Sequence, residues 1–179
     1  NNESAYVHLT SNETIHGVQL QCNPTFNEIP LICDMSSDFL SRSFPIENYN
    51  LVYAGAQKNL GPAGVTIVII RDDMLGLIPN GLHPMLDYGV HTSKNSAYNT
   101  PPVFSIYITS LVTQWLDEEI GGLDKMEQYN NNKAAVLYSV IDDGTGFYQG
   151  YADKNSRSMM NVTWTMETEF LEQQFIFKL

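Results

Sequence analysis

Two apolar runs, residues 49–56 and 64–71, are separated by only about seven residues, and a parallel connection needs about a dozen or more. The second run, Val65-Thr66-Ile67-Val68-Ile69-Ile70, is rich in β-branched side chains and is the clearest strand in the chain. The pair is therefore predicted to be antiparallel. The connection is Tyr53-Ala54-Gly55-Ala56-Gln57-Lys58-Asn59, followed by Gly61-Pro62-Ala63-Gly64. It sets one lysine in a tight glycine-rich turn, where backbone can come close to a ligand. A lysine held between buried strands is desolvated, which lowers the amine's pKa and makes it a nucleophile able to form a Schiff base. The same spacing also fits an ordinary surface lysine at a strand-to-strand turn.

Asp34 sharpens the choice. It ends the apolar run Ile29-Pro30-Leu31-Ile32-Cys33, so it sits at the carboxyl end of a predicted buried strand over 28–34. Open α/β sheets bind their ligands at that end. A pyridoxal phosphate site requires a lysine for the covalent link and a carboxylate for the ring nitrogen. Lys58 follows Asp34 at a distance that accommodates one crossover segment and one strand. Asp34 also fits a helix or turn cap.

Four motifs occur in one order: Asn12-Glu13-Thr14-Ile15-His16-Gly17; Asp34-Met35-Ser36-Ser37 with Leu40-Ser41-Arg42; Tyr53 through Gly64; and Tyr98-Asn99-Thr100-Pro101-Pro102. Together they resemble the phosphoserine aminotransferase family of class-V, fold-type-I pyridoxal-phosphate enzymes. The likeness runs over nearly the whole chain and fades in the last dozen residues. It implies an α/β fold: a large domain with a mostly parallel sheet and one antiparallel strand, and part of a small α+β C-terminal domain. The implied division is 1–121 for the large domain, 122–143 for a linker helix and 144–179 for the small domain. The resemblance assigns Lys58 the covalent link to the cofactor and Asp34 the ring nitrogen. It assigns Thr14 the phenolic oxygen and Gln57 the cofactor phosphate. Asn99 and Thr100 are assigned to the phosphate of the neighbouring subunit's cofactor, which implies a homodimer with shared active sites. The implied reaction is transamination between phosphoserine or 3-phosphohydroxypyruvate and 2-oxoglutarate or glutamate, in serine biosynthesis.

The chain departs from the family in length. The motifs for the phosphate-binding glycine turn, the ring-stacking tryptophan, the substrate His-Arg pair and the substrate-carboxylate arginine are not among its residues. His16 stands where relatives often carry Asp. Alternatives are another fold-type-I enzyme, desulfurase-like or alanine–glyoxylate-type, and a catalytically silent fragment. A desulfurase needs a mobile catalytic cysteine, and neither Cys22 nor Cys33 lies on an obvious flexible loop.

Composition narrows the partners. Nine basic against twenty acidic residues give a net charge of −11. That opposes nucleic acid and anionic membranes, which need a basic face. An apolar content of 43% supports a packed core. No apolar run reaches the roughly 18 residues of a membrane span. No secretory leader pattern opens the chain, and two cysteines make no disulfide framework, so a cytoplasmic location with reduced thiols is expected. His8, His16, His83 and His91 lack ligand spacing, so no metal is expected. There is no phosphate-binding Gly-Lys-Ser/Thr loop, no dinucleotide fingerprint and no Gly-x-Ser-x-Gly elbow. Ser36 and Ser37 are read as supports for Asp34 or its turn, Arg42 and Arg157 as structural ion pairs, and Trp115 and Trp164 as core.

Further strands are predicted over 5–10 and 158–166, and helices over 72–77, 103–118, 123–141 and 167–179. Residues 79–102 read as a long loop crossing to a partner subunit.

Overall fold

The computed structural model describes residues 4–26 and 29–178. Its elements in order are β1 (Val7–Thr10), β2 (Asn12–Glu13), β3 (Val18–Gln19), β4 (Leu31–Asp34), β5 (Leu51–Gly55), β6 (Thr66–Ile70), α1 (Asp72–Leu75), α2 (Tyr88–Ser93), α3 (Val103–Trp115), α4 (Leu123–Ile141), β7 (Tyr148–Gly150), β8 (Trp164–Met166) and α5 (Glu169–Lys178). The main sheet has the order β1-β4-β5-β6. β1 pairs with β4 and β4 with β5 in parallel, whereas β5 and β6 are antiparallel. The short Lys58 connection therefore has the consequence read from its length. Residue 28 of the predicted strand 28–34 lies outside the described residues, as do residues 1–3 and 27 of the first segment and residue 179 of the last helix.

Alternation along the strands divides the two sheet faces. Leu31, Cys33, Val52 and Ala54 point to one side and join Met35, Phe39, Tyr49, Ala56 and Leu60 in a single core cluster. The opposite side carries His8 and the register partners Asp34 and Tyr53, all partly or fully exposed. Burial pushes the Cys33 thiol up to about 12, with the nearby Asp38 and Asp34 charges adding to it. It is therefore a protonated core thiol at neutral pH, unsuited to the nucleophilic role a desulfurase requires.

α3 lays Ser105 and Thr109 on the glycines that follow Lys58. The Ser105 hydroxyl donates to the Ala63 carbonyl at 2.9 Å, and a Cβ at Gly61 would lie 2.9 Å from Thr109 Oγ1. The apolar stripe Phe104, Tyr107, Leu111 and Trp115 faces outward. α3 runs on through a π-helical turn, Leu116–Ile120, and ends at Gly121 and Gly122, both with positive φ. α4 then buries Met126, Asn130, Ala134 and Ile141, a stripe at helical spacing.

Three expectations change. The predicted loop 79–102 contains α2, which begins where the Asp87 carboxylate accepts from Gly89 N and Val90 N. The strand predicted over 158–166 contracts to Trp164–Met166, because residues 158–163 bond instead to the β2–β3 hairpin. That hairpin and β7 were too short to give a periodic signal. Trp115 and Trp164 are 47% and 39% exposed, not core. The two predicted ion pairs hold: Arg42 approaches Asp38 at 3.8 Å, and Arg157 bonds Asp142 through both terminal nitrogens at 2.7 and 2.9 Å.

The Arg157 guanidinium, and after it the Lys154 ammonium, hold the Asp142 carboxyl down at about 2. An unfolded aspartate titrates near about 3.9, so this pair's stabilisation is complete above about pH 4 and is lost as pH falls toward about 2. Asp142→Asn is expected to flatten the fall in the urea midpoint over that acid window and to leave its neutral-pH slope alone.

Gly17 turns the β2–β3 hairpin at φ +67, and a Cβ there would lie 2.5 Å from the Asn161 carbonyl oxygen and 2.6 Å from Thr163 Oγ1. Gly17→Ala is therefore expected to lower stability by more than the roughly 1–2 kcal/mol of the left-handed backbone alone. Urea unfolding measures it.

Candidate active site

The strand ends and turns at the carboxyl edge of the sheet converge on Lys58. β5 runs into the turn that carries it, and the Gly61 N–H donates to the Ala56 carbonyl at 2.7 Å, which closes that turn. The Lys58 ammonium donates to Thr14 Oγ1 at 2.7 Å and to Ser37 Oγ at 2.8 Å, and those two hydroxyls are 2.6 Å apart. Thr14 arrives from the β2–β3 hairpin and Ser37 from the turn after β4. Two of the ammonium's three donors are thus used by neutral oxygens. Among the described residues, no carboxylate forms an ion pair with Lys58. A cavity of about 290 Å³ opens beside it, lined by Thr14, Ser37, Lys58, Asn59, Met160 and Asn161.

Asp34 is tied to the same turn. Its Oδ1 accepts from Ser36 N at 2.8 Å, and the Ser36 hydroxyl in turn accepts from Gly55 N at 3.0 Å. Ser36 and Ser37 therefore link the carboxylate to the lysine loop: Ser36 holds Asp34 and β5, and Ser37 holds Lys58. Tyr53 lies opposite Asp34 in the sheet register, and its hydroxyl is 3.0 Å from His8 Nε2. Partial burial raises the Tyr53 hydroxyl's pKa, and the neighbouring Asp34 carboxylate adds to the rise.

A buried network beneath these residues fixes the hairpin. Asp38 accepts from the Ser11 hydroxyl and from Gln19 Nε2, the latter at 2.9 Å. Gln19 Oε1 accepts from Met159 N at 3.1 Å, which joins the C-terminal segment to the same network. Asn59 Nδ2 donates to the Phe39 carbonyl at 2.7 Å and anchors the far side of the lysine turn.

The residues singled out in the sequence fall into two groups. Thr14, Asp34 and Lys58 converge, and Gln57 stands at their edge, its side chain folded over Gly55. Asn99 and Thr100 lie apart, exposed on the loop before α3, with Asn99 Nδ2 donating to the Thr100 carbonyl at 3.3 Å. Lys58 itself is exposed, so the expected desolvation is not supplied by these residues; hydroxyl acceptors hold the amine instead. Sequence reasoning missed Met160 and Asn161. They lie more than 100 positions beyond Lys58, a separation at which local pattern carries no signal.

The family model for aminotransferase class-V matches residues 1–173. The chain belongs to the class-V aminotransferases. Within the family it is 54% identical over 173 residues to the phosphoserine aminotransferase of Geobacillus kaustophilus, covering 97% of this chain and 48% of that protein. The solved phosphoserine aminotransferase of Bacillus circulans subsp. alkalophilus superposes with a TM-score of 0.96 at 49% identity, covering 99% of this chain and 49% of that one. The phosphoserine aminotransferase of Trichomonas vaginalis, solved with pyridoxal phosphate bound, gives a TM-score of 0.86 at 38% identity, covering 94% and 49%. The chain thus spans about half the length of the curated relatives it matches. Among the described residues, no helix is long and apolar enough to cross a membrane, and no cluster of His, Cys, Asp and Glu has the arrangement of a metal site.

Proposed function

We propose that this chain is part of a pyridoxal-phosphate-dependent aminotransferase exchanging an amino group between phosphoserine or 3-phosphohydroxypyruvate and 2-oxoglutarate or glutamate, in serine biosynthesis. The observation that carries the reading is the Lys58 ammonium. It is held by Thr14 and Ser37 with no carboxylate partner among the described residues, beside a cavity, on a turn cross-linked to Asp34. The donor set fits the cofactor. An amine bonded to neutral oxygens can be released to form a covalent link, whereas one neutralised by a carboxylate would be held back. The names of the relatives supply phosphoserine, and the family resemblance implies the other substrates.

On this reading Lys58 holds the cofactor, Asp34 faces its ring nitrogen, Thr14 its phenolic oxygen and Gln57 its phosphate. Asn99 and Thr100 reach the phosphate of a second subunit's cofactor in a homodimer. Their exposure supports that role, as does the outward apolar stripe on α3, which offers area for a subunit contact. The division into 1–121, 122–143 and 144–179 is proposed with it. α4 supports the division by reaching both ways: Asn130 Nδ2 donates to the Ser41 carbonyl, and the Tyr138 hydroxyl to the Ser158 carbonyl. A cytoplasmic location belongs to the same proposal.

Pyridoxal phosphate, when bound, supplies an electron sink for charge left on the substrate α-carbon. The Asp34 carboxylate keeps a neighbouring ring nitrogen protonated, because an opposite charge raises that nitrogen's pKa. Lys58 Nζ takes the proton from the substrate α-carbon as general base. The Thr14 and Ser37 hydroxyls hold Nζ at the cavity and accept its hydrogens whenever it is charged.

A polypeptide carrying these residues at the length of its relatives tests the reading by amino transfer from phosphoserine to 2-oxoglutarate. Glutamate is the expected product. Transfer from alanine to glyoxylate with none from phosphoserine would move the chain to another branch of the family.

A further inference from the structure

We propose that Asn161 is a substrate-binding residue that donates its side-chain amide hydrogens to the α-carboxylate of the amino acid in the Lys58 cavity. The proposal rests on the aminotransferase reading above and adds a residue from the C-terminal segment to it.

The hydrogen-bond logic around Ser158 sets the orientation of Asn161. Ser158 is fully buried, and its Oγ accepts from Met160 N at 3.0 Å and from Asn161 N at 2.9 Å. A hydroxyl has two acceptor positions and one proton. With both acceptor positions taken, the proton goes to Asn12 Oδ1, the remaining contact of Ser158 Oγ. Asn12, 1% exposed, is thereby fixed with its Nδ2 turned away from Ser158. That nitrogen donates to Asn161 Oδ1 at 2.6 Å. Asn161 must accept with its oxygen, so its NH2 group is left over. Among the described residues no acceptor takes those hydrogens. Asn161 is half-buried and lines the same cavity as Lys58.

The whole segment is clamped in that place. Ser158 N donates to the Gly17 carbonyl at 2.8 Å, and the Thr163 hydroxyl to the His16 carbonyl at 2.8 Å. Gly17 lacks the Cβ that would push the Asn161 carbonyl away. The hairpin that holds Asn161 by Asn12 also delivers Thr14 to Lys58, so one short element fixes both walls of the cavity.

The chemistry of the ligand follows from what lines the cavity. It offers an ammonium, two hydroxyls and amide groups, and no carboxylate. That lining matches an anion. The proposed cofactor contacts Asp34, Gln57 and Lys58 ride on β4, β5 and their turns and Thr14 on the β2–β3 hairpin, whereas Asn161 comes from the C-terminal segment. An amino acid's α-carboxylate is bonded to the carbon whose proton Lys58 takes. It therefore lies one bond from the reacting atom and within the cavity that the amine and Asn161 share.

Two variants of the relative-length, cofactor-loaded protein test this, with glutarate, a dicarboxylate that cannot transaminate, as the calorimetric probe. Asn161→Ala removes the donors and is expected to weaken glutarate about tenfold, the low end for a hydrogen bond to a charged group. Asn161→Asp keeps an oxygen for Asn12 Nδ2, so the clamp is retained while the donors are replaced by negative charge. It is expected to weaken glutarate by about a hundredfold or more with an unchanged melting temperature. Borohydride trapping of cofactor on Lys58 is expected to be the same in parent and variants. Absence of trapping in the parent would refute the Lys58 reading itself and is read separately from the glutarate result. Asn161→Asp binding glutarate as tightly as the parent would overturn the proposal. So would a shifted pH midpoint of the cofactor absorption with unchanged glutarate affinity, which would assign the donors to the cofactor.

Discussion

Lys58→Ala is expected to abolish amino transfer, by more than about 10⁴-fold, in a polypeptide that carries these residues at its relatives' length. One side chain performs two tasks in the proposed reaction: it holds the cofactor covalently, and it takes the substrate's α-proton. Its removal takes away both the nucleophile and the general base. Among the described residues no other lysine lines the cavity, so none can take its place. The neighbouring hydroxyls of Thr14 and Ser37 are far weaker bases than an amine at neutral pH. The fold is expected to survive, because Lys58 is exposed and, among the described residues, its ammonium bonds only to those two hydroxyls. An unchanged melting temperature with lost turnover is the expected pair of results. Turnover within tenfold of the parent would contradict the assignment.

Asp34→Asn is the second large effect, expected to slow amino transfer by about 10²–10³-fold, comparable to losing a preorganised electrostatic group. Asparagine retains an oxygen able to accept from Ser36 N, so the turn that carries Ser37 to Lys58 stays in place. The substitution therefore separates charge from structure. The carboxylate is what keeps an adjacent ring nitrogen protonated, and only the charge is removed. Asp34→Ala removes the Ser36 anchor as well and is expected to be slower still. Equal rates in Asp34→Asn and the parent would show that this carboxylate does not serve a ring nitrogen.

The parts of the fold legible in the sequence were those set by short-range pattern. The brevity of the Lys58 connection dictated the antiparallel β5–β6 pair. The apolar run ending in Asp34 placed that carboxylate at a strand terminus, where the structure has it. The glycine pair at 121–122 separated α3 from α4 as expected. What stayed hidden was set by long-range pairing. Residues 158–163 alternate like a strand, yet their polar groups are satisfied by the β2–β3 hairpin nearly 150 positions earlier. α2 was obscured by the proline and glycine residues around it, and its Asp87 cap is a weak signal inside so short a helix. Trp115 and Trp164 were assigned to the core by size, but a stripe on one helix face and a two-stranded hairpin leave them half-covered.

The sequence singled out residues that the structure brings together, but it did not reveal their surroundings. Lys58, Asp34 and Thr14, proposed from motif and position, lie on turns joined by hydrogen bonds, and Ser36 and Ser37 bond to Asp34, Gly55 and Lys58. The expected burial of Lys58 was not met: its side chain is exposed, and the Thr14 and Ser37 hydroxyls hold the amine.

The most direct measurement is peptide mapping after borohydride reduction of the relative-length protein loaded with pyridoxal phosphate. The account predicts one modified peptide, carrying the reduced cofactor on Lys58, and bleaching of the yellow absorption as it forms. Cofactor attached to a different lysine, or yellow protein that yields no modified peptide, would contradict it.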